Sequence, residues 1–248
     1  MKIKKEYFLG LVMLIVVVLL VGGIYTFRKI RARDSLIAQI KELSPRDIPP
    51  RTIEDLREAI RLYEELIEQH VRDAAQTGVY WKLLAARLQD RGLYHEALEA
   101  LERAVYYTPE DAYVHYQRGV SAGIVAKSSF ATAEGGADAQ EYFTLSEKSY
   151  LRAIELDEDY SRPRYGIGIL YVFELNRPQD AIPHLLRYLE LTRNDVDAMF
   201  VLARAYYMVN NYREALDMYE RIITISRDAA KRIEAENNRQ TILDSYYG

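Results

Sequence analysis

One 34-residue unit constrains this chain more than any other feature. From Asp34 onward apolar residues recur at three- and four-residue spacing, with Pro and Gly mostly at boundaries, so the chain reads as helical throughout. Within that pattern residues 78–111 place Trp81, Leu84, Ala85, Leu88, Gly92, Tyr94, Ala97, Leu101, Ala104 and Pro109 along two helices. Ala85 and Ala97 are small enough for antiparallel helices to approach closely. Gly92 and Tyr94 fall at the turn, and Pro109 closes the second helix. Residues 196–229 repeat the offsets with Leu202, Ala203, Tyr206, Tyr212, Ala215, Tyr219 and Ile222. Residues 161–195 do so with Ile167, Gly168, Tyr171, Ala181 and Leu185, plus one extra residue near Asn176-Arg177-Pro178. Between them Gly119 marks a first helix, and Ser146, Tyr150 and Ala153 a second. About 15 further residues, read as a small-residue loop over 127–141 with Phe130 as its apolar anchor, interrupt that unit.

These positions resemble those of the tetratricopeptide repeat (TPR), strongly in two units and loosely in two. The resemblance implies an all-α, right-handed solenoid of about four helix pairs over 78–227. It implies a flanking helix over 52–77, ending near Gln76, and a polar-faced capping helix over 228–248.

Ahead of it stands a different object. Residues 1–6 form a cationic tail, and Tyr7 to Phe27 runs 21 residues without a charge. That is about 31 Å of helix, the thickness of a bilayer core. A cleaved signal peptide with small residues at Val21-Gly22-Gly23 is the competing reading. The longer apolar run and the basic cluster Arg28, Lys29, Arg31 and Arg33 favour an uncleaved single-pass anchor, in an inner membrane if the source is bacterial. Flanking charges leave open which side the solenoid faces. A juxtamembrane helix and Pro-rich linker fill 28–51, broken at Ser44-Pro45 and Pro49-Pro50.

Charge divides the chain in the same place. The net charge is −4, but residues 1–33 hold seven Lys/Arg against Glu6, which leaves 34–248 at −10. An acidic body is poorly suited to nucleic acid. With no cysteine, disulfides, thiolate metal sites and Cys nucleophiles are excluded. His70, His95, His115 and His184 lie at no metal-ligand spacing, and Gly135-Gly136 lacks the Lys and Ser/Thr of a phosphate loop. No enzyme, cofactor or metal is expected.

Function is then expected from surfaces. In TPR solenoids the first helix of each pair lines the groove, and the resemblance places Lys82 and Ala86 there from the first unit. Tyr113, Tyr116, Gln117 and Val120 come from the interrupted unit. Arg162, Tyr165, Ile169 and Phe173 follow from the third, and Phe200, Arg204, Tyr207 and Met208 from the fourth. Of these, Lys82, Tyr113, Tyr116, Gln117, Arg162, Tyr165, Phe173, Phe200, Arg204 and Tyr207 are the expected partner-binding residues, since aromatic and Arg side chains anchor interfaces. The carboxylate clamp of chaperone-binding TPRs is broken: Lys82 fits, but Ala86, Gln117 and Gly166 replace its Asn, Asn and Arg. The expectation is a membrane-tethered scaffold holding a membrane-associated protein or peptide. A self-assembling homo-oligomer is the alternative.

Overall fold

The computed structural model describes residues 53–130 and 136–246, together with short stretches between 13 and 41. Every element among them is helical. The chain divides into two compact units, Met1–Ala74 and Ala75–Gly248.

In the first unit the described residues between 13 and 41 are helical, and Leu36 is buried with Leu62 while Leu66 packs against them. Most of the expected span, 7–27, and the tail 1–6 lie outside the described residues. No helix among the described residues is long and apolar enough to cross a membrane. Helix α1, Ile53–Asp90, begins here.

The sequence suggests an end near Gln76, yet α1 continues through Gly78. A Cβ at Gly78 would stand 2.7 Å from Thr108 Cγ2, so the missing side chain lets α1 pass the end of the next helix. Close approach there offsets the helix-propensity cost of glycine, about 1 kcal/mol.

The second unit stacks antiparallel pairs. After the last part of α1 come α2 (Tyr94–Tyr107), α3 (Ala112–Phe130), α4 (Gly136–Leu156) and α5 (Ser161–Ile169). A π-helical turn, Leu170–Glu174, then leads to α6 (Pro178–Thr192), α7 (Val196–Met208), α8 (Tyr212–Ile225) and α9 (Ala229–Tyr246). Each helix from α2 onward packs on its successor, and the first helices α3, α5 and α7 also touch one another in series. The core follows the repeat. Ala85, Leu101 and Ala104 close the first pair with Trp81 and Leu88 against them. Ile167, Leu185, Met199, Leu202 and Ile222 belong to a larger cluster through the later pairs.

Over the described residues, both irregularities are taken up inside helices. The expected 127–141 loop is not a loop over its described part. Lys127–Phe130 extends α3 and Gly136 onward belongs to α4, giving helices of 19 and 21 residues; 131–135 and the Phe130 side chain lie outside the described residues. The lengthened pair closes on small residues, with Ala122, Ala126 and Ala139 fully buried.

The extra residue of the third pair is likewise not in the turn. Gly92, Asn176 and Asn210 hold the same left-handed turn position, at φ 75°, 50° and 63°. Seven residues separate Ala85 from Gly92 and Ala203 from Asn210, but eight separate Gly168 from Asn176. The surplus lies in the π turn, where Leu175 N donates to Leu170 O at 3.0 Å, an i→i+5 bond.

Candidate functional site

The ten expected contact residues all belong to first helices or the π turn, but they do not form one surface. Lys82 on α1 is half-buried and donates to Asp111 Oδ2 at 2.8 Å. Asp111 also accepts from Val114 N at 3.2 Å, capping α3. This cation is neutralised by a structural partner. Tyr113 and Gln117 bond each other, Gln117 Nε2 donating to Tyr113 Oη at 2.6 Å, on an exposed stretch of α3.

The central aromatics are packed. The ring of Tyr150, from second helix α4, wedges between first helices α3 and α5: a Cβ at Gly119 or Gly166 would fall 2.7 Å from it. Glycine at 166, where the chaperone clamp has Arg, is thus required by the neighbouring ring. Tyr116 leans on this wedge, 6.1 Å from Tyr150 and 5.4 Å edge-on to Tyr160. Burial, and then the neighbouring Tyr116, push the Tyr160 phenol up to about 12; Arg162 hydrogen-bonds it and works the other way. Arg162 itself is exposed. Tyr165 stacks on Tyr188 at 5.0 Å. The Tyr188 hydroxyl donates to Asp195 Oδ2 at 2.7 Å, and Asp195 caps α7 through Ala198 N. Tyr165 is raised by burial and then by Asp195 and Asp197. These phenols stay neutral and serve the stack.

The last four residues converge. Phe173, Phe200, Arg204 and Tyr207 line a cleft of about 390 Å³. Arg204 lies over the Phe173 ring with its guanidinium carbon 5.3 Å from the centroid. Phe200 sits 6.1 Å from Tyr219, which closes the floor from α8. Phe173 is 49% exposed and Tyr207 38%, so the apolar wall is open to a ligand. Glu234, Asn238 and Thr241 of α9 form the far wall.

Those three residues are absent from the sequence-based set. Their signal was nevertheless present: each lies 34 residues after Phe200, Arg204 and Tyr207 in turn. Helix α9 repeats the groove-facing spacing of a first helix as well as covering the end of the stack. It is tied down by Lys231 to Asp197 at 2.6 Å and Arg239 to Glu220 at 3.5 Å.

A smaller cavity of about 160 Å³ lies on the other side of the π turn. Ile124 and Lys127 of α3 and Leu170 and Glu174 of the turn line it, and Lys127 pairs with Glu174 at 2.9 Å. No group of three or more metal-ligating side chains occurs among the described residues. His115 is buried with Nε2 2.8 Å from Pro109 O, a packing role.

Residues 165–230, the third and fourth pairs, match the tetratricopeptide repeat family. No curated protein matches the sequence significantly. Among solved structures the chain is similar to MamA, residues 41 to the end, from Desulfovibrio magneticus RS-1. Identity is 13% over 69% of this chain and 92% of that one, with a TM-score of 0.54. A thermophilic TPR protein of Thermus thermophilus gives 19% identity over 75% and 91%, TM-score 0.51. The human IFIT1 dimer with PPP-AAAA gives 16% over 84% of this chain and 54% of that chain, TM-score 0.56. At such identities the likeness is one of fold: an all-helical, TPR-like solenoid.

Proposed function

We propose that the protein is a non-catalytic, membrane-anchored scaffold that binds a protein or peptide segment in its first-helix groove, with the C-terminal cleft as the principal contact. The observation that carries this reading is the convergence of Phe173, Phe200, Arg204 and Tyr207 on one open cleft. Of the other expected contacts, Lys82, Tyr116 and Tyr165 are engaged with neighbours in the fold, and Tyr113, Gln117 and Arg162 are not among the residues lining the cleft. Aromatic rings beside an arginine supply large contact area at low entropy cost.

The membrane part of the proposal rests on the uncharged run Tyr7 to Phe27 and its basic flanks. Described apolar residues within it, Val18, Leu19, Leu20 and Ile24, are more than half exposed, as side chains meant for lipid are. Anchoring confines the groove to the membrane surface and raises its effective concentration for a membrane partner.

A photo-crosslinking amino acid placed at Tyr207 of the full chain, in the cells that make it, tests the groove. Discrete adducts from this position, and none from Glu155 on a second helix, are expected; equal adducts from both would overturn it. Resistance to alkaline extraction checks the anchor, and a reporter fused after Gly248 assigns the side.

Self-assembly is the second reading, favoured by one feature of the first unit. Ile60, Tyr63, Ile67 and Val71 of α1 are exposed at spacings of three, four and four, an apolar helical stripe. Sedimentation of the full chain in detergent separates the two, since assembly predicts a mass that rises with protein concentration.

A further inference from the structure

We propose that the C-terminal cleft recognises a dipolar peptide segment, one in which an acidic and a basic side chain flank an apolar one. This rests on the groove reading and names the chemistry of its ligand. Two charges face one cleft. Arg204 enters from α7 and Glu234 from α9, and both line the same cavity. Among the described residues neither takes part in an ion pair. Their neighbours behave differently. On α9, Lys231 reaches Asp197, and Arg239 reaches both Glu220 and Glu236. Where α9 can pair its charges with the stack it does so, and Glu234 is left facing the cleft opposite a free cation.

The way Arg204 is held leaves its chemistry available. Its guanidinium covers Phe173, which occupies a face of the group. The N–H donors lie in the plane of the guanidinium and keep the fork that binds a carboxylate bidentately. Glu234 is acceptor-only and exposed, suited to an ammonium or guanidinium. The rings of Phe200, Tyr207 and Tyr219 line the same cleft as the two charges, an apolar surface for an uncharged side chain. Asn238 on the α9 wall adds an amide donor and acceptor to the lining, and Thr241, whose hydroxyl donates to Asn237 O at 2.9 Å, keeps an acceptor oxygen there.

Charge complementarity selects the occupant. The cleft carries one cation and one anion, so it is neutral as a whole. A purely acidic ligand meets Glu234, and a purely basic one meets Arg204, each at a repulsive cost. A segment with both charges satisfies both walls, and the separation of the charges fixes its direction. The cleft therefore reads order as well as composition.

The experiment is a selection from displayed random octapeptides on the full chain in lipid nanodiscs. The wild-type protein should enrich acid, apolar and base in one order. The double variant Arg204→Glu with Glu234→Arg should enrich the opposite order. Both side chains are exposed, so an unchanged circular dichroism spectrum is expected and serves as the folding control. Arg204→Gln should weaken a selected peptide about tenfold, the loss of one charged hydrogen-bonding pair. Enrichment of peptides without the two charges, or of the same order by both proteins, would overturn the dipolar reading. If such peptides still depended on Phe200, judged by Phe200→Ala, the groove reading would survive. Peptides indifferent to Phe200→Ala, or no enrichment, would sink both.

Discussion

The two halves of the groove carry the same kinds of residue and put them to opposite uses. In the first half, Lys82 is held by Asp111, Tyr116 leans on the Tyr150 wedge and Tyr165 stacks on Tyr188. In the second half, Arg204 rests on a ring without an ion pair among the described residues, and Phe173 and Tyr207 stand exposed around a cleft. The difference lies in what surrounds each residue. The first half has a glycine pair that admits a ring and a capping aspartate beside the lysine. The second meets α9, which supplies a far wall rather than a plug.

The largest expected effect breaks the packed half. Tyr150→Ala removes the ring between Gly119 and Gly166, leaving a cavity where two first helices meet a second. A loss of about 3 kcal/mol or more is expected in denaturant unfolding. A loss under about 1 kcal/mol would show that the rings there are ornament and free for a partner. Next in size is Asp111→Ala, which deletes the α3 cap and the anion beside Lys82 together. It should cost about 1–2 kcal/mol. It also sharpens the contrast, because it turns Lys82 into a free groove cation like Arg204.

This contrast marks the limit of what could be read from residues alone. Helix pairs were legible because they are local and periodic: Gly92, read as the turn of the first unit, holds the left-handed turn position. Neutralisation was not legible, because Lys82 and Asp111 lie 29 positions apart and meet only when α1 and α3 stack. The surplus residue of the third unit was visible as a count. Its place was not, since a π turn at Leu170–Glu174 and a longer loop obey the same arithmetic. Glu234, Asn238 and Thr241 were within reach, one period beyond Phe200, Arg204 and Tyr207, but the polar composition of α9 made it read as a cap.

A smaller effect distinguishes buried packing groups from the open site by pH. Burial lowers His115 and then His184 below the ordinary histidine value of 6.5, against weaker opposing contacts with Pro109 O and Asp180 respectively. The folded protein then binds fewer protons than the unfolded chain in this range. Their contribution is complete above 6.5 and is lost as pH falls through the depressed folded values. Stability should decline as pH falls below 6.5, and replacing both by Gln should flatten that limb. An equally steep limb in the double variant would assign the titration elsewhere.

The smallest stability effects give the sharpest test of the comparison, because two similar substitutions should differ only in function. Lys82→Met removes a half-buried pair and should shift stability by no more than about 1 kcal/mol. Arg204→Met removes an exposed cation from a ring face and should shift it by about 0.5 kcal/mol or less. Crosslinking from Tyr207 should persist in the first variant and fall about tenfold in the second, if the open arginine carries a charged hydrogen-bonding pair. Equal loss in both would mean that the whole first-helix face binds as one surface, with the Lys82–Asp111 pair opening to join it. Loss in Arg204→Met alone would place recognition where the fold has left its charges unmatched.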